Sequence, residues 1–219
     1  MLNVKTILFQ GDSITDCGRS RDNFEAVGTG YPLFVKAQFG TDYPQEFVFQ
    51  NRGVSGNRIV DLYARIKADI LNLKPDYMSI LIGVNDVWHE LASHNGVAAD
   101  KFEKIYGMLI EEIQEALPDI RIMILEPFCL KGPSTDDCEA IPDKWQQFRG
   151  GVEERAVRAK RIAERYNLVF VPLQEMFDKA ALTAPPTYWL GDGVHPSAMG
   201  HELIKRAWMQ GFEQLRGDR

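Results

Sequence analysis

The amino-acid sequence predicts an α/β protein in which a five-stranded parallel β-sheet lies between two layers of helices. Short apolar runs, most of them apolar on both faces, alternate with longer segments of helical periodicity. Short runs that are apolar on both faces are typical of strands buried in parallel sheets. Their alternation with helices indicates βαβ units. Right-handed crossovers then place helices on both faces of the sheet, which makes a three-layer α/β/α sandwich.

Five segments are predicted as strands of this sheet. In the first of them, Thr6 to Phe9 have the β-branched and aromatic content of a buried strand. The other four are similarly short and apolar. The predicted strands span residues 5–10, 46–51, 77–82, 121–126 and 168–172.

Four segments have the apolar spacing of helices. Ile59, Leu62, Ile66 and Ile70 recur every three or four residues, which places them on one face of a helix. Comparable spacing recurs in three later segments. The predicted helices span residues 59–70, 101–117, 146–166 and 198–215.

Two segments are predicted as long loops. Residues 16–30 are polar and rich in glycine, and residues 127–145 contain three prolines. Loops of this length in a compact domain often have a function. We expect both at the carboxyl edge of the sheet, as lids or walls of a site.

The length, net charge, hydropathy and cysteine content of the chain argue against several classes of protein, among them nucleic-acid-binding, membrane-spanning and disulfide-rich proteins. The 219 residues suit one domain spanning residues 1–219. The formal net charge of -6 argues against a nucleic-acid partner, which would need a basic surface. No apolar run is long enough to cross a membrane, and the N-terminus does not resemble a signal peptide, so a cytoplasmic location is predicted. The three cysteines have neither a disulfide framework nor metal-type spacing.

The first predicted strand ends at Gly11, Asp12 and Ser13. Gly11 allows a sharp turn, which places Ser13 at the carboxyl end of a strand, where open α/β sheets bind their ligands. Free backbone N–H groups at a helix start would favour an oxyanion there. Asp12 and Ser13 are equally suitable as caps of a following helix.

A serine nucleophile needs a base, because its hydroxyl is almost un-ionised near neutral pH. His195 is the best candidate, since Asp192 precedes it by three residues and can orient the imidazole in a tight turn. Pro196 and a helix start near Ser197 follow. The alternative is that His195 is an ordinary turn residue before a helix.

Donors for an oxyanion are available after two further strands. Gly56 can offer a backbone N–H that no side chain obstructs, and Asn85 can offer its side-chain amide. Each also has an ordinary interpretation, Gly56 as a turn residue and Asn85 as a helix cap.

Together these segments resemble, in order and residue type, the SGNH hydrolases, also called the GDSL esterase/lipase family. The match covers nearly the whole chain, and Ile14 stands where the family name has leucine. Four ordered blocks are specific, although each one alone is weak. The blocks are Gly11-Asp12-Ser13-Ile14-Thr15, the glycine Gly56, Gly83-Val84-Asn85-Asp86, and Asp192-Gly193-Val194-His195-Pro196.

The resemblance implies a flavodoxin-like fold with Ser13 as nucleophile, His195 as base and Asp192 as its partner. It also implies an oxyanion hole formed by the Ser13 N–H, the Gly56 N–H and the Asn85 amide. No metal or cofactor is implied. The chain lacks the Gly-x-Ser-x-Gly elbow of the α/β-hydrolases.

Four residues near these blocks are candidate substrate contacts: Asp12, Tyr31, Trp88 and Trp189. Aromatic faces suit sugar rings, apolar acyl chains or simple core packing. The sequence around Trp88 and Trp189 resembles the acetylxylan-esterase-like branch of the family, whose members remove acetyl groups from xylan and xylo-oligosaccharides and often assemble into homo-oligomers.

Three functions therefore stay open on the sequence. The first is a serine esterase that acts on acetylated carbohydrates, with a small-molecule or oligosaccharide ester as its substrate, no nucleic-acid or membrane partner, and assembly into a homo-oligomer as an open possibility. The second is a thioesterase or lysophospholipase of the same family. The third is a binding module without activity. The presence of all five residues of the predicted catalytic site argues against it; these are Ser13, Gly56, Asn85, Asp192 and His195.

Overall fold

The computed structural model describes residues 4–217 and confirms the predicted α/β class. All five strands pair in parallel, in the order β2-β1-β3-β4-β5. They lie within two residues of the predicted bounds. The strands are β1 (Lys5–Gly11), β2 (Phe47–Asn51), β3 (Tyr77–Leu81), β4 (Arg121–Leu125) and β5 (Val169–Val171).

Helices connect the strands and cover both faces of the sheet. A short 3₁₀ turn, Leu71–Leu73, precedes β3. The α-helices are α1 (Ser13–Asp16), α2 (Tyr31–Asp42), α3 (Ile59–Ala64), α4 (Ile66–Asp69), α5 (Val84–Ser93), α6 (Ala99–Ala116), α7 (Lys144–Arg165), α8 (Gln174–Ala180), α9 (Pro186–Trp189) and α10 (Ala198–Gly217).

Each face of the sheet has its own apolar core, because successive side chains of a strand point to opposite faces. In β1, Ile7 and Phe9 pack into the core beneath α2 and α10, where Trp208 is fully buried. Leu8 packs into the opposite core beneath α3 and α6, with Tyr106. The predicted three-layer arrangement is therefore present.

The helices depart from prediction in two ways. The predicted helix 59–70 is divided at Arg65 into α3 and α4, and the Arg65 guanidinium binds Asn57 and Asp69 on either side of the break. Four observed helices, α2, α5, α8 and the short α9, were not predicted. The first turn of α5 contains the polar residues Asn85 and Asp86, which hide its apolar periodicity.

The strand order creates a crevice at the carboxyl edge of the sheet. The chain passes from β1 outward to β2 and then returns across β1 to β3, so the connections that follow β1 and β3 diverge. Open α/β sheets bind ligands at such a switch point. Ser13 follows β1 and Asn85 follows β3, so the topology places both at this crevice.

Residues 4–217 contain neither a membrane-spanning helix nor a cluster of metal ligands. No helix there combines the length and apolar character needed to cross a bilayer. No group of three or more His, Cys, Asp or Glu side chains in this range could hold a metal ion.

Candidate active site

Ser13 begins α1 directly after β1. The turn needs glycine at position 11, because a Cβ there would lie 2.4 Å from the Leu81 carbonyl oxygen. Asp12 caps the helix, and its Oδ1 accepts a hydrogen bond from the Ile14 N–H at 3.0 Å. The cap interpretation therefore applies to Asp12, and it leaves the Ser13 hydroxyl free.

The side chains of Ser13, His195 and Asp192 form a continuous hydrogen-bonded chain. Ser13 Oγ lies 2.9 Å from His195 Nε2, and His195 Nδ1 lies 2.8 Å from Asp192 Oδ2. An ionised carboxylate can only accept, so Nδ1 carries the proton and donates it to Asp192. Nε2 of the neutral ring is then free to accept the proton of the Ser13 hydroxyl.

Asp192 is held in place from several directions. Its Oδ1 accepts the backbone N–H groups of Val194 at 2.9 Å and His195 at 2.8 Å. Ser134, in the predicted loop 127–145, donates its hydroxyl to Oδ2 at 3.2 Å and its N–H to the Asp192 carbonyl at 2.8 Å. This loop thus supports the acid, a role that the sequence did not indicate.

The ionisation of the pair matches this geometry. Burial alone would raise the pKa of Asp192, but the hydrogen bonds from the His195 ring and from two backbone N–H groups outweigh it and hold that pKa below its usual range. The hydrogen bond to Asp192 raises the pKa of His195 above its usual value, with partial burial opposing it. Asp192 therefore stabilises the imidazolium that would form when His195 takes a proton.

The other two predicted oxyanion donors, Gly56 and Asn85, line the same cleft as Ser13. Gly56 has φ +81°, a left-handed conformation that favours glycine. Its loop is tied to the sheet because the Val54 N–H donates to the Gly11 carbonyl at 3.1 Å. Asn85 donates one amide hydrogen to the Asn57 carbonyl at 3.1 Å, which orients the side chain and leaves its second amide hydrogen free.

These groups line one open cleft of about 410 Å³. Five of its nine lining residues come from α5 at helical spacing. Asn85 and Trp88 were predicted as site residues, whereas His89, Ala92 and Ser93 were not, because this helix was not predicted. The Trp88 ring lies 5.8 Å from that of His195. The lining residues are Ser13, Ser55, Gly56, Asn85, Trp88, His89, Ala92, Ser93 and His195.

The structure places three predicted substrate contacts outside the lining of this cleft. Tyr31 has no exposed surface, because its ring packs edge-on against Phe9 and its hydroxyl pairs with Thr15. Asp12 is 1% exposed beneath the first turn of α1. Trp189 lines a different hollow with Met199 and other residues at the start of α10.

Comparison with known proteins agrees with this geometry. Residues 9–203 match the GDSL-like Lipase/Acylhydrolase family. The chain belongs to this family. It is 35% identical to an acetylxylan esterase from Geobacillus stearothermophilus, across 96% of this chain and 95% of that protein. The chain is accordingly a carboxylic ester hydrolase, as its sequence predicted.

Solved structures show the same similarity. A GDSL-like protein from Parabacteroides merdae superimposes with a TM-score of 0.86 at 38% identity, covering 96% of this chain and 97% of that one. The acetylxylan esterase Axe2 from Geobacillus stearothermophilus superimposes with a TM-score of 0.82 at 34% identity, covering 96% of each chain. In two catalytic mutants of Axe2, a serine and an aspartate are each replaced by alanine.

Proposed function

We propose that this chain is a serine esterase that removes acetyl groups from acetylated carbohydrates, with xylo-oligosaccharides as the substrate class. The observation that carries the proposal is the Ser13–His195–Asp192 hydrogen-bonded chain at the mouth of the cleft. The relative Axe2 is described as an acetylxylan esterase and as an acetyl-xylooligosaccharide esterase. Its catalytic mutants affect the same residue types, a serine and an aspartate.

The first half of the reaction forms an acyl-enzyme. Ser13 Oγ attacks the ester carbonyl while His195 Nε2 takes its proton, and Asp192 stabilises the resulting imidazolium. The carbonyl oxygen becomes negative and is bound by the Ser13 N–H, the Gly56 N–H and the Asn85 amide. The tetrahedral intermediate collapses when the C–O bond to the sugar breaks, and His195 returns its proton to the departing sugar oxygen.

The second half releases acetate. Water attacks the acetyl carbonyl as His195 takes its proton, and the same donors bind the oxyanion again. The bond between Ser13 Oγ and the acyl carbon then breaks, and His195 returns the proton to Ser13. The overall reaction converts the ester and one water molecule into acetate and the free alcohol, and none of these steps uses a cofactor.

Replacement of Ser13 tests the mechanism. Ser13→Ala should lower kcat on p-nitrophenyl acetate and on acetylated xylobiose by about 10⁴-fold or more, because no other hydroxyl meets the base. Ser20→Ala is the matched control, since its hydroxyl only accepts backbone N–H groups of Asp22 and Asn23 in an outer loop. Undiminished turnover by Ser13→Ala would sink the proposal.

Chain-length preference tests the substrate class. An acetyl esterase should turn over p-nitrophenyl acetate faster than p-nitrophenyl octanoate. The reverse order would favour the thioesterase or lysophospholipase alternative while leaving the Ser13 mechanism standing.

A further inference from the structure

His89 occupies a distinctive place in the cleft. It lies four residues after Asn85 on α5, so the two side chains share one face of the helix and both line the cleft. A Cβ built on Gly56 would lie 4.0 Å from His89 Nε2, its nearest neighbour, so this nitrogen faces the glycine of the predicted oxyanion hole across open space.

The His89 ring has hydrogen-bonding capacity that the protein does not use. Within residues 4–217, the hydrogen bonds of His89 involve its backbone carbonyl, which accepts the Ser93 hydroxyl and the Asn95 N–H. Both ring nitrogens are thus available to a ligand, one as donor and one as acceptor when the ring is neutral. His89 is half-buried, so a ligand that reached it would lose water from one side.

The size of the acyl group indicates which part of the ester reaches His89. An acetyl group carries only one methyl beyond the carbonyl, and this fills a small part of a cleft of about 410 Å³. The remaining volume, along α5 beyond Asn85, has room for the alcohol portion of the ester. Its walls are Trp88, His89, Ala92 and Ser93, which combine apolar and aromatic surface with a few polar groups, as is typical of small-ligand sites.

We infer that His89 is a specificity-determining residue that hydrogen-bonds a free hydroxyl of the alcohol portion of the ester. This inference rests on the proposed esterase activity and does not depend on the sugar being xylose. Ser13 and His195 carry out the chemistry, and His89 favours esters whose alcohol portion bears a free hydroxyl. A hydroxyl-free acetate ester would leave the ring of His89 without a partner.

Two esters of the same acyl group isolate this contact. Propyl acetate and glycerol 1-acetate have the same three-carbon alcohol chain and differ by two hydroxyls. The ratio of their kcat/KM values measures the preference for a hydroxylated alcohol, and acid release can be followed by titration for both. His89→Phe keeps a planar ring without nitrogen, and His89→Gln restores an amide near the position of Nε2.

His89→Phe should lower kcat/KM on glycerol 1-acetate by about five- to tenfold, the effect of one neutral hydrogen bond, mainly through KM. On propyl acetate the change should stay within about twofold, and His89→Gln should recover part of the loss. His94→Asn is the matched control, because His94 is exposed at the end of the same helix and asparagine tolerates its φ of +53°.

Equal losses on both esters, or no loss on either, would overturn the inference. An inactive wild-type protein on acetylated xylobiose, together with the expected change on glycerol 1-acetate, would remove xylo-oligosaccharides from the proposed function and leave the role of His89 intact.

Discussion

The buried carboxyl group of Asp86 accepts a hydrogen bond from the backbone N–H of Ile59, at 3.2 Å to one oxygen and 3.3 Å to the other. Asp86 follows Asn85 in the chain, and Ile59 begins α3 just after the loop that contains Gly56. The Asn85 amide binds the same loop at the Asn57 carbonyl. Two neighbouring residues of α5 therefore hold the loop, and these contacts set the position of Gly56 relative to Asn85, the two predicted oxyanion donors.

Replacing Asp86 should separate these donors. Asp86→Ala leaves the buried Ile59 N–H without a partner, which costs about 1–3 kcal/mol, and we expect kcat on p-nitrophenyl acetate to fall at least tenfold with KM little changed. Burial raises the pKa of Asp86 to about 8, so its carboxyl is largely neutral at pH 7. Asp86→Asn should therefore keep most of the activity. Equal activity of Asp86→Ala and wild type would contradict the role assigned to this contact.

The activity should depend on pH through His195. Only the neutral imidazole can accept the Ser13 proton, so kcat/KM should fall as the pH drops through the pKa of His195. Its hydrogen bond to Asp192 raises this pKa above the usual value. Asp192→Asn removes the negative charge, so the acid limb should move to lower pH and the plateau rate should fall by about 10²–10⁴-fold. The measurement is a pH profile of kcat/KM for both proteins, and an acid limb that stays in place would exclude the pairing.

Asp12 should reduce stability as the pH rises. Burial is the main cause of its raised pKa, about 7 against 3.8 in the unfolded chain, so the folded state binds more protons than the unfolded state between these values. The free energy of unfolding therefore loses about 1.4 kcal/mol per pH unit in this window from Asp12. Asp12→Asn keeps the oxygen that accepts the Ile14 N–H and removes this titration. In urea unfolding, its stability relative to wild type should increase between pH 5 and pH 7, and a constant difference would refute the expectation.

Gly53 should tolerate no side chain. A Cβ there would lie 2.4 Å from the backbone nitrogen of Asp16, which cannot move without displacing α1. Gly53→Ala should lower the free energy of unfolding by about 1–3 kcal/mol. Gly150→Ala makes the same chemical change within α7, where a Cβ meets nothing within 4 Å, and should raise stability by about 0.5–1 kcal/mol. Thermal unfolding gives the change in melting temperature of each variant relative to wild type. Equal changes would show that the close approach at Gly53 does not affect stability.

Most strands and the longer helices could be predicted from the sequence, because each has a local pattern of apolar residues that is typical of its secondary structure. Strand β1 is a short continuous apolar run with β-branched and aromatic residues, and helix α6 has apolar residues at helical spacing, so both can be recognised without knowledge of the tertiary arrangement. Helix α5 was not predicted, since the polar residues Asn85 and Asp86 stand between the apolar residues Val84 and Val87 in its first turn. Those residues serve the site, and sequence rules are expected to fail where function overrides local preference.

The sequence by itself determined the family, the strands and the five residues of the predicted catalytic site, because each lies in a short block with its own local chemistry. Only the tertiary structure decided the distances between them, since Ser13 and His195 are 182 residues apart in the chain and their side chains come within 2.9 Å of each other in the fold. The tertiary structure also shows that Tyr31 lies in the core, that Trp189 lines another hollow, and that His89 lines the cleft. Exposure depends on which face of an element is covered by its neighbours, and a linear pattern does not record that covering.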